Sequence, residues 1–251
     1  LQSLRWGLNS PYPHFLIMIN ESFEKIKNFL LKRYKNNLAG ILIFGSANTG
    51  HFKHGESDID TMIFLKEKRN LDFKKEINYL LESLKSKRFA TQYFFSLDSL
   101  KDYIKDRVSF STYITIISKD GSKILYSTPE FEDTKIYLLK NPPSKESIKK
   151  YIKEKDQFEL KGYFKNIKGF SLTKALFAHL RRKLQILNYF KTKNLVFDYE
   201  GCMNNLDLTQ EIKKKLNLLY RYYNDRKELS EKEINMYYSL ASELANIINN
   251  N

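Results

Sequence analysis

Gly45-Ser46 follows a short apolar run, Gly40 to Phe44, and Asp58 and Asp60 stand just ahead of a second, Met62 to Leu65. Two carboxylates at i and i+2 on a strand point to the same face. So placed, they repel each other unless a cation sits between them. A glycine-serine turn just upstream lets bare backbone N–H groups approach phosphate. The combination points to a site for a metal-bound nucleoside triphosphate. Asp58 and Asp60 would hold one or two Mg²⁺ ions, hard cations that share carboxylate and phosphate oxygens. With two ions, one sharpens a nucleophile and the other neutralises departing pyrophosphate. Gly45 and Ser46 would lie under the phosphates, and Ser57 would cap the turn or steady Asp58. Asp-x-Asp alone is also an ordinary turn exit. The Gly-Ser upstream and the strands on either side give it weight. His51 and His54, three apart, lack the further Cys or His that a zinc site needs; with Lys53 they suit a solvent-facing loop.

The elements that must position these residues alternate. Glu21–Tyr34 has apolar residues at helical spacing, as does Phe73–Leu84. Gly40–Phe44, Ile59–Leu65 and Thr91–Phe95 read as strands, and Ser99–Lys105 as a short helix. Tyr113–Ser118 and Lys123–Tyr126 flank Asp120-Gly121, a hairpin signal. The order predicts an α/β (α+β) domain with a mixed sheet. Asn141-Pro142-Pro143 stops any continuing helix or central strand. The rest reads as all helix: Lys145–Phe164, Ser171–Phe190, Gln210–Tyr223 and Glu231–Ile248, with Lys193–Asp207 a loop. The expected domains are 1–139, with 1–20 an N-terminal extension, and 145–251.

The segment GSANTGHFKHGESDID resembles the nucleotidyltransferase signature of the DNA polymerase β-like superfamily. It is most similar to the antibiotic and minimal nucleotidyltransferases, where Gly-Ser, a second Gly (here Gly50) and Ser-Asp-x-Asp recur. The likeness in element order extends to about residue 130 and includes Lys119–Tyr126. It implies transfer of a nucleoside monophosphate from an NTP to a hydroxyl with release of pyrophosphate, and a helical C-terminal domain. The family's third carboxylate, a metal ligand or base on a neighbouring strand, aligns here with Gln92, which cannot take a proton near neutral pH. Three readings stay open. Asp98 is the third acid; a helical-domain carboxylate (Glu154, Glu159 or Glu200) serves as the base; or turnover is weak or absent.

On the Ser171–Phe190 helix, Lys174, Arg181, Gln185 and Asn188 share one stripe at 100° per residue. It is either a solvated side or a face toward the nucleotide, with Lys174 or Arg181 neutralising the triphosphate. From Lys145 to Lys193 there are 14 Lys+Arg against 4 Asp+Glu, within a chain of net charge +14. Tyr151, Phe158, Tyr163, Phe164 and Phe170 interleave with that charge. Such a pattern suits RNA backbone and base stacking, though aromatics at helical spacing also form cores. Tyr220, Tyr222 and Tyr223 read as interhelical packing.

Hydrophobic content of 42% fits a globular chain. No apolar run approaches the ~20 residues needed to span a bilayer, and none has the succession of a signal peptide. One cysteine, Cys202, precludes an internal disulfide and fits a reducing compartment; the expected setting is cytoplasmic, without a membrane partner. The sequence thus predicts a Mg²⁺-dependent nucleotidyltransferase using an NTP, ATP by default. Its acceptor is RNA (a tRNA or other RNA end), a small hydroxylated molecule or a protein hydroxyl. The competing reading is a nucleotide- or RNA-binding module of the same fold with weak or no turnover. Oligomeric state is not legible.

Overall fold

Leu38–Phe44 (β1) is buried along all but its last residue, as a strand with a neighbour on each side must be. Ile59–Leu65 (β2) pairs antiparallel with it, from Leu38 opposite Leu65 to Phe44 opposite Asp60. Ser122–Ser127 (β4) pairs antiparallel on the other side. Phe89–Ser96 (β3) runs parallel to β2. The sheet order is β3-β2-β1-β4, a mixed sheet. This computed structural model describes residues 13–49, 58–68, 71–84, 89–106, 110–118 and 120–251. Among them no helix is long and apolar enough to cross a membrane.

Two helices cover one face of the sheet, Pro13–Tyr34 (α1) and Phe73–Leu84 (α3). Phe23, Ile26, Leu30 and Tyr34 of α1 and Leu80 of α3 meet Ile41, Ile43, Ile59, Ile63 and Phe94 in one core. The opposite face is aromatic. Phe64 lies 4.7 Å from the ring of Phe131 and 6.0 Å from that of Phe95. Phe131 belongs to Pro129–Lys140 (α6), a helix that sequence patterning does not reveal. Short elements complete the order: Ser46–Thr49 (α2), Leu97–Asp106 (α4) and Phe110–Ile117 (α5).

The expected hairpin around Asp120-Gly121 is not formed. Its first arm is the helix α5, and β4 pairs with β1 instead. The β-branched run Tyr113-Ile-Thr-Ile-Ile carries strand propensity, but propensity yields to burial. Phe110, Thr112, Tyr113, Ile114, Thr115 and Ile116 are all buried, an almost all-round burial that suits a core helix.

The chain divides into two compact units, residues 1–103 with 115–141 and residues 104–114 with 142–251. The second unit is helical. Lys145–Glu159 (α7) starts at Ser144, whose side chain accepts from the Ser147 N–H. Phe170–Thr192 (α8) is the long central helix, buried at Leu172, Leu176, Leu180, Leu184 and Leu187. Gln210–Asn224 (α10) and Glu231–Asn250 (α11) match the expected helices, and α11 opens on a full capping box between Ser230 and Glu233. Within the expected loop 193–207 lies one more helix, Tyr199–Asn205 (α9), capped by Asp198.

Candidate nucleotide site

The site forms where β1 leaves the sheet and β2 enters it. Ile59 is buried in the α1–α3 core, which turns its neighbours the other way: Asp58 is exposed and Asp60 half-buried. Asp60 stands in register opposite Phe44, so the next residue of β1, Gly45, falls beside it. Gly45 has φ +69°, and a Cβ added there would collide with the Asp60 carboxylate, with Cγ only 3.3 Å away. Only glycine meets both demands, the left-handed backbone and the missing side chain. The chemistry of this donor set fits a hard cation: a carboxylate pair with the Gly45-Ser46 turn adjacent. Among the described residues no group of three or more His, Cys, Asp or Glu could hold a metal ion. Phosphate oxygens and water are the ligands that Mg²⁺ ordinarily adds to one or two carboxylates.

Ser46, half-buried, opens the single turn of α2, which closes with the Asn48 N–H bonded to the Gly45 carbonyl at 3.1 Å. Asn48 also donates from Nδ2 to the Asp120 carbonyl at 2.9 Å. This ties the Gly-Ser turn to the turn that precedes β4. Asn48 is a positioning residue that the motif's spacing did not single out, although it lies within it. Ser57, Gly50, His51, Lys53 and His54 lie outside the described residues.

The third carboxylate is not found on β3. Ala90 stands opposite Asp60, Thr91 opposite Thr61 and Tyr93 opposite Met62. Gln92 falls in the register shift between the last two pairs; its side chain lies outside the described residues. The reading that makes Asp98 the third acid is corrected by the register. β3 is parallel to β2, and Ser96 pairs with Leu65 at the far end. Asp98 lies beyond that, about 20 Å along the strand from Asp60 at ~3.3 Å per residue. It is an exposed first-turn residue of α4, 3.5 Å from Lys101.

In the second unit Glu159 is not available as a base. It accepts from His179 Nδ1 at 2.6 Å and from Arg182 at 3.0 Å, and Lys155 lies 3.4 Å away. Burial pushes its pKa up, but the His179 hydrogen bond and the Arg182 charge outweigh burial and hold it at about 2. Glu154 is exposed, 4.0 Å from Lys150, and Glu200 is exposed on α9.

The polar stripe of α8 resolves into two parts. Lys174 is exposed. Further along, Arg181 lies 5.9 Å from the Phe177 ring and 5.3 Å from the Phe197 ring, and burial draws its pKa down. Gln185 donates to the Phe197 carbonyl at 2.7 Å, and Asn188 to the Asn194 carbonyl at 3.2 Å. From Arg181 onward the stripe is therefore not a solvated face. It fastens the 193–198 segment onto α8.

A family model described as a nucleotidyltransferase domain matches residues 23–115. Among solved structures, a spectinomycin adenyltransferase from Enterococcus faecialis, determined with ATP and spectinomycin, matches 92% of this chain and 99% of its own at 16% identity and a TM-score of 0.56. That likeness is one of fold. A toxin-antitoxin structure with AMP-PNP matches 55% of this chain and 93% of its own at 21% identity, with a TM-score of 0.32, too low to carry an argument. No curated protein matches the chain.

Proposed function

We propose that this chain, whose residues 23–115 match the family model of a nucleotidyltransferase domain, moves a nucleoside monophosphate from an NTP to a hydroxyl acceptor and releases pyrophosphate. One observation carries the reading: the Gly45 backbone lies so close to the Asp60 carboxylate that no Cβ fits between them, with Asp58 beside it at the mouth of β2. Asp58 and Asp60 would hold Mg²⁺, which supplies charge neutralisation of the triphosphate and activation of the acceptor hydroxyl. The Gly45-Ser46 turn, with the Ser46 hydroxyl and backbone N–H groups, receives the β- or γ-phosphate. Asn48 keeps that turn fixed relative to β4. ATP is the default donor, in keeping with the ATP held by the fold neighbour. The acceptor hydroxyl belongs to RNA, such as a tRNA end, or to a small hydroxylated molecule. Of the two α8 cations first considered for the phosphates, Lys174 retains an exposed ammonium suited to that work, whereas Arg181 is spent on packing. On this reading the first unit is the catalytic domain and the second the acceptor-binding domain.

A second reading is favoured by Ala90 opposite Asp60 and Gln92 in the bulge: a nucleotide-binding module with little or no turnover. Incubation with Mg²⁺ and each α-labelled NTP, with total RNA or with small hydroxylated acceptors, separates the two. Pyrophosphate release with label on an acceptor supports transfer, and Asp58→Asn and Asp60→Asn should each abolish it. NTP binding seen as a thermal shift, without label transfer to any acceptor, would favour the module. Transfer that survives in both variants would overturn the assignment of the carboxylates.

A further inference from the structure

The five aromatics interleaved with lysines between Tyr151 and Phe170 do not share one fate. Tyr151 and Phe164 are buried, the Tyr151 hydroxyl lying 2.9 Å from Ser111 Oγ, and Phe170 stacks on Tyr223. Phe158 and Tyr163 are different. They are 64% and 50% exposed, and their rings lie parallel within 6°, centroids 6.2 Å apart. The turn between them makes the stack. Gly162 sits so close to the Phe158 carbonyl oxygen that a Cβ would stand 2.9 Å from it, which brings Tyr163 back beside Phe158.

The stack is held from beneath. On either side of Phe158 along α7, Asp156 and Glu159 are bound to Lys183, His179 and Arg182 of α8. Next to Tyr163, Phe164 packs edge-on against His179 at 5.7 Å. The aromatic pair is therefore preorganised, which lowers the cost of binding to it.

Its charge surroundings are one-sided. Lys161, Lys165 and Lys168 are all exposed, and no acidic residue occurs from Leu160 to Phe197. The acids nearby are mostly engaged: Asp156 and Glu159 of α7 are paired with α8, Glu154 lies 4.0 Å from Lys150, and Glu228 packs beside Gly169. Lys165 and Lys168 also line a cavity of about 280 Å³ with an apolar wall of Leu172, Ile234 and Tyr238.

We infer that the Phe158–Tyr163 stack with Lys161, Lys165 and Lys168 is a docking platform for single-stranded nucleic acid, bases on the rings and phosphates on the ammonium groups. A purely apolar partner would not suit three exposed lysines, and an acidic protein surface would leave the parallel rings unused. Flat rings flanked by exposed cations match a strand whose bases are unstacked and whose backbone is anionic. The platform belongs to the second unit and stands whether or not the carboxylates of the first transfer a nucleotide.

The test uses the full chain and fluorescein-labelled 12-nucleotide oligo(U) and oligo(dT), with an RNA duplex of equal length as control. Fluorescence anisotropy is read without NTP at several salt concentrations. The single strands should bind more tightly than the duplex. The double variant Phe158→Ala/Tyr163→Ala should weaken them by about tenfold or more, as loss of base stacking does, with the salt slope unchanged. Lys161→Ala/Lys165→Ala/Lys168→Ala should flatten the slope by about two, at ~0.7 per phosphate contact on single strands. Tyr163→Phe, which keeps the ring, should bind normally, and so should Asp58→Asn/Asp60→Asn. Circular dichroism confirms that the variants are folded. Absence of single-strand binding, or equal binding by Phe158→Ala/Tyr163→Ala, would overturn the proposal. So would a dimer in sedimentation velocity that this double variant abolishes, since a second copy would then be the occupant.

Discussion

At the scale of single residues, the candidate site depends on what is absent at position 45. Gly45 combines φ +69° with a carboxylate packed where a Cβ would be. Gly45→Ala should therefore act twice, through a strained backbone costing about 1–3 kcal/mol and through displacement of Asp60. The expected outcome is a lower urea midpoint together with loss of Mg²⁺-dependent NTP binding in isothermal titration. Asn48→Ala should differ: it releases only the tether to the Asp120 carbonyl, a hydrogen bond worth about 1 kcal/mol. It should weaken NTP binding and leave the urea midpoint nearly unchanged. The sequence singles out Gly45, Ser46, Asp58 and Asp60 by their order and spacing between two apolar strands, not by residue type alone. It did not reveal the close approach of Gly45 to Asp60, because that contact crosses between strands. Nor did it reveal the fate of Arg181, Gln185 and Asn188, since polar groups at helical spacing look alike whether they face water or a packed segment.

Among elements, α7 and α8 are joined by charges rather than by leucines alone. His179, 2% exposed, has Nδ1 2.6 Å from Glu159 and Nε2 2.9 Å from Asp156, and Lys183 adds contacts of 2.6 and 2.7 Å to Asp156. Burial would raise both carboxylates, but His179 with Lys183 on Asp156, and His179 with Arg182 and Lys155 on Glu159, hold both below their ordinary range, Glu159 at about 2. A carboxylate depressed in the folded state stabilises it above the unfolded pKa, and that contribution fades as pH falls through the folded value. Stability set by this joint should therefore be level above about pH 4.5 and decline from there toward pH 2, a window taken from Glu159. His179→Ala opens a cavity and removes one of the partners that buried Glu159 and half-buried Asp156 share, leaving Arg182, Lys155 and Lys183, and should cost about 3 kcal/mol at neutral pH. Urea unfolding across pH 2–7 checks both, and the variant should show a shallower acid decline than the wild type. Of this joint, α8 is legible from its leucines; α7, which has none, reads as helix as far as Phe164 and ends at Glu159. α5, α6 and α9 are not legible: α5 has strand-type residues, α6 follows a strand with no clean apolar face, and α9 is only seven residues long.

For the whole molecule the governing quantity is net charge, +14, with most of the excess between Lys145 and Lys193. Salt acts on such a chain in two opposed ways. It weakens the exposed ion pairs, such as Lys27–Glu24, Lys66–Glu130 and Lys215–Glu211, each worth about 0–1 kcal/mol. It also screens the repulsion of a large excess of like charge, which otherwise destabilises the compact state. The pairs are few, short-ranged and already solvated. The repulsion sums over many lysines, and at 0.15 M salt it is cut off beyond about 8 Å. The second effect should win. Raising NaCl from 10 to 300 mM should increase the melting temperature, and hydrogen exchange should slow more in α7 and α8 than in β1, β2 and β3. The buried contacts of His179, Glu159 and Lys183 are shielded from counterions, so they should persist at high salt while the surface around them relaxes. A melting temperature that fell with added salt would mean that the surface pairs, and not the unbalanced lysines, dominate the electrostatics of this fold.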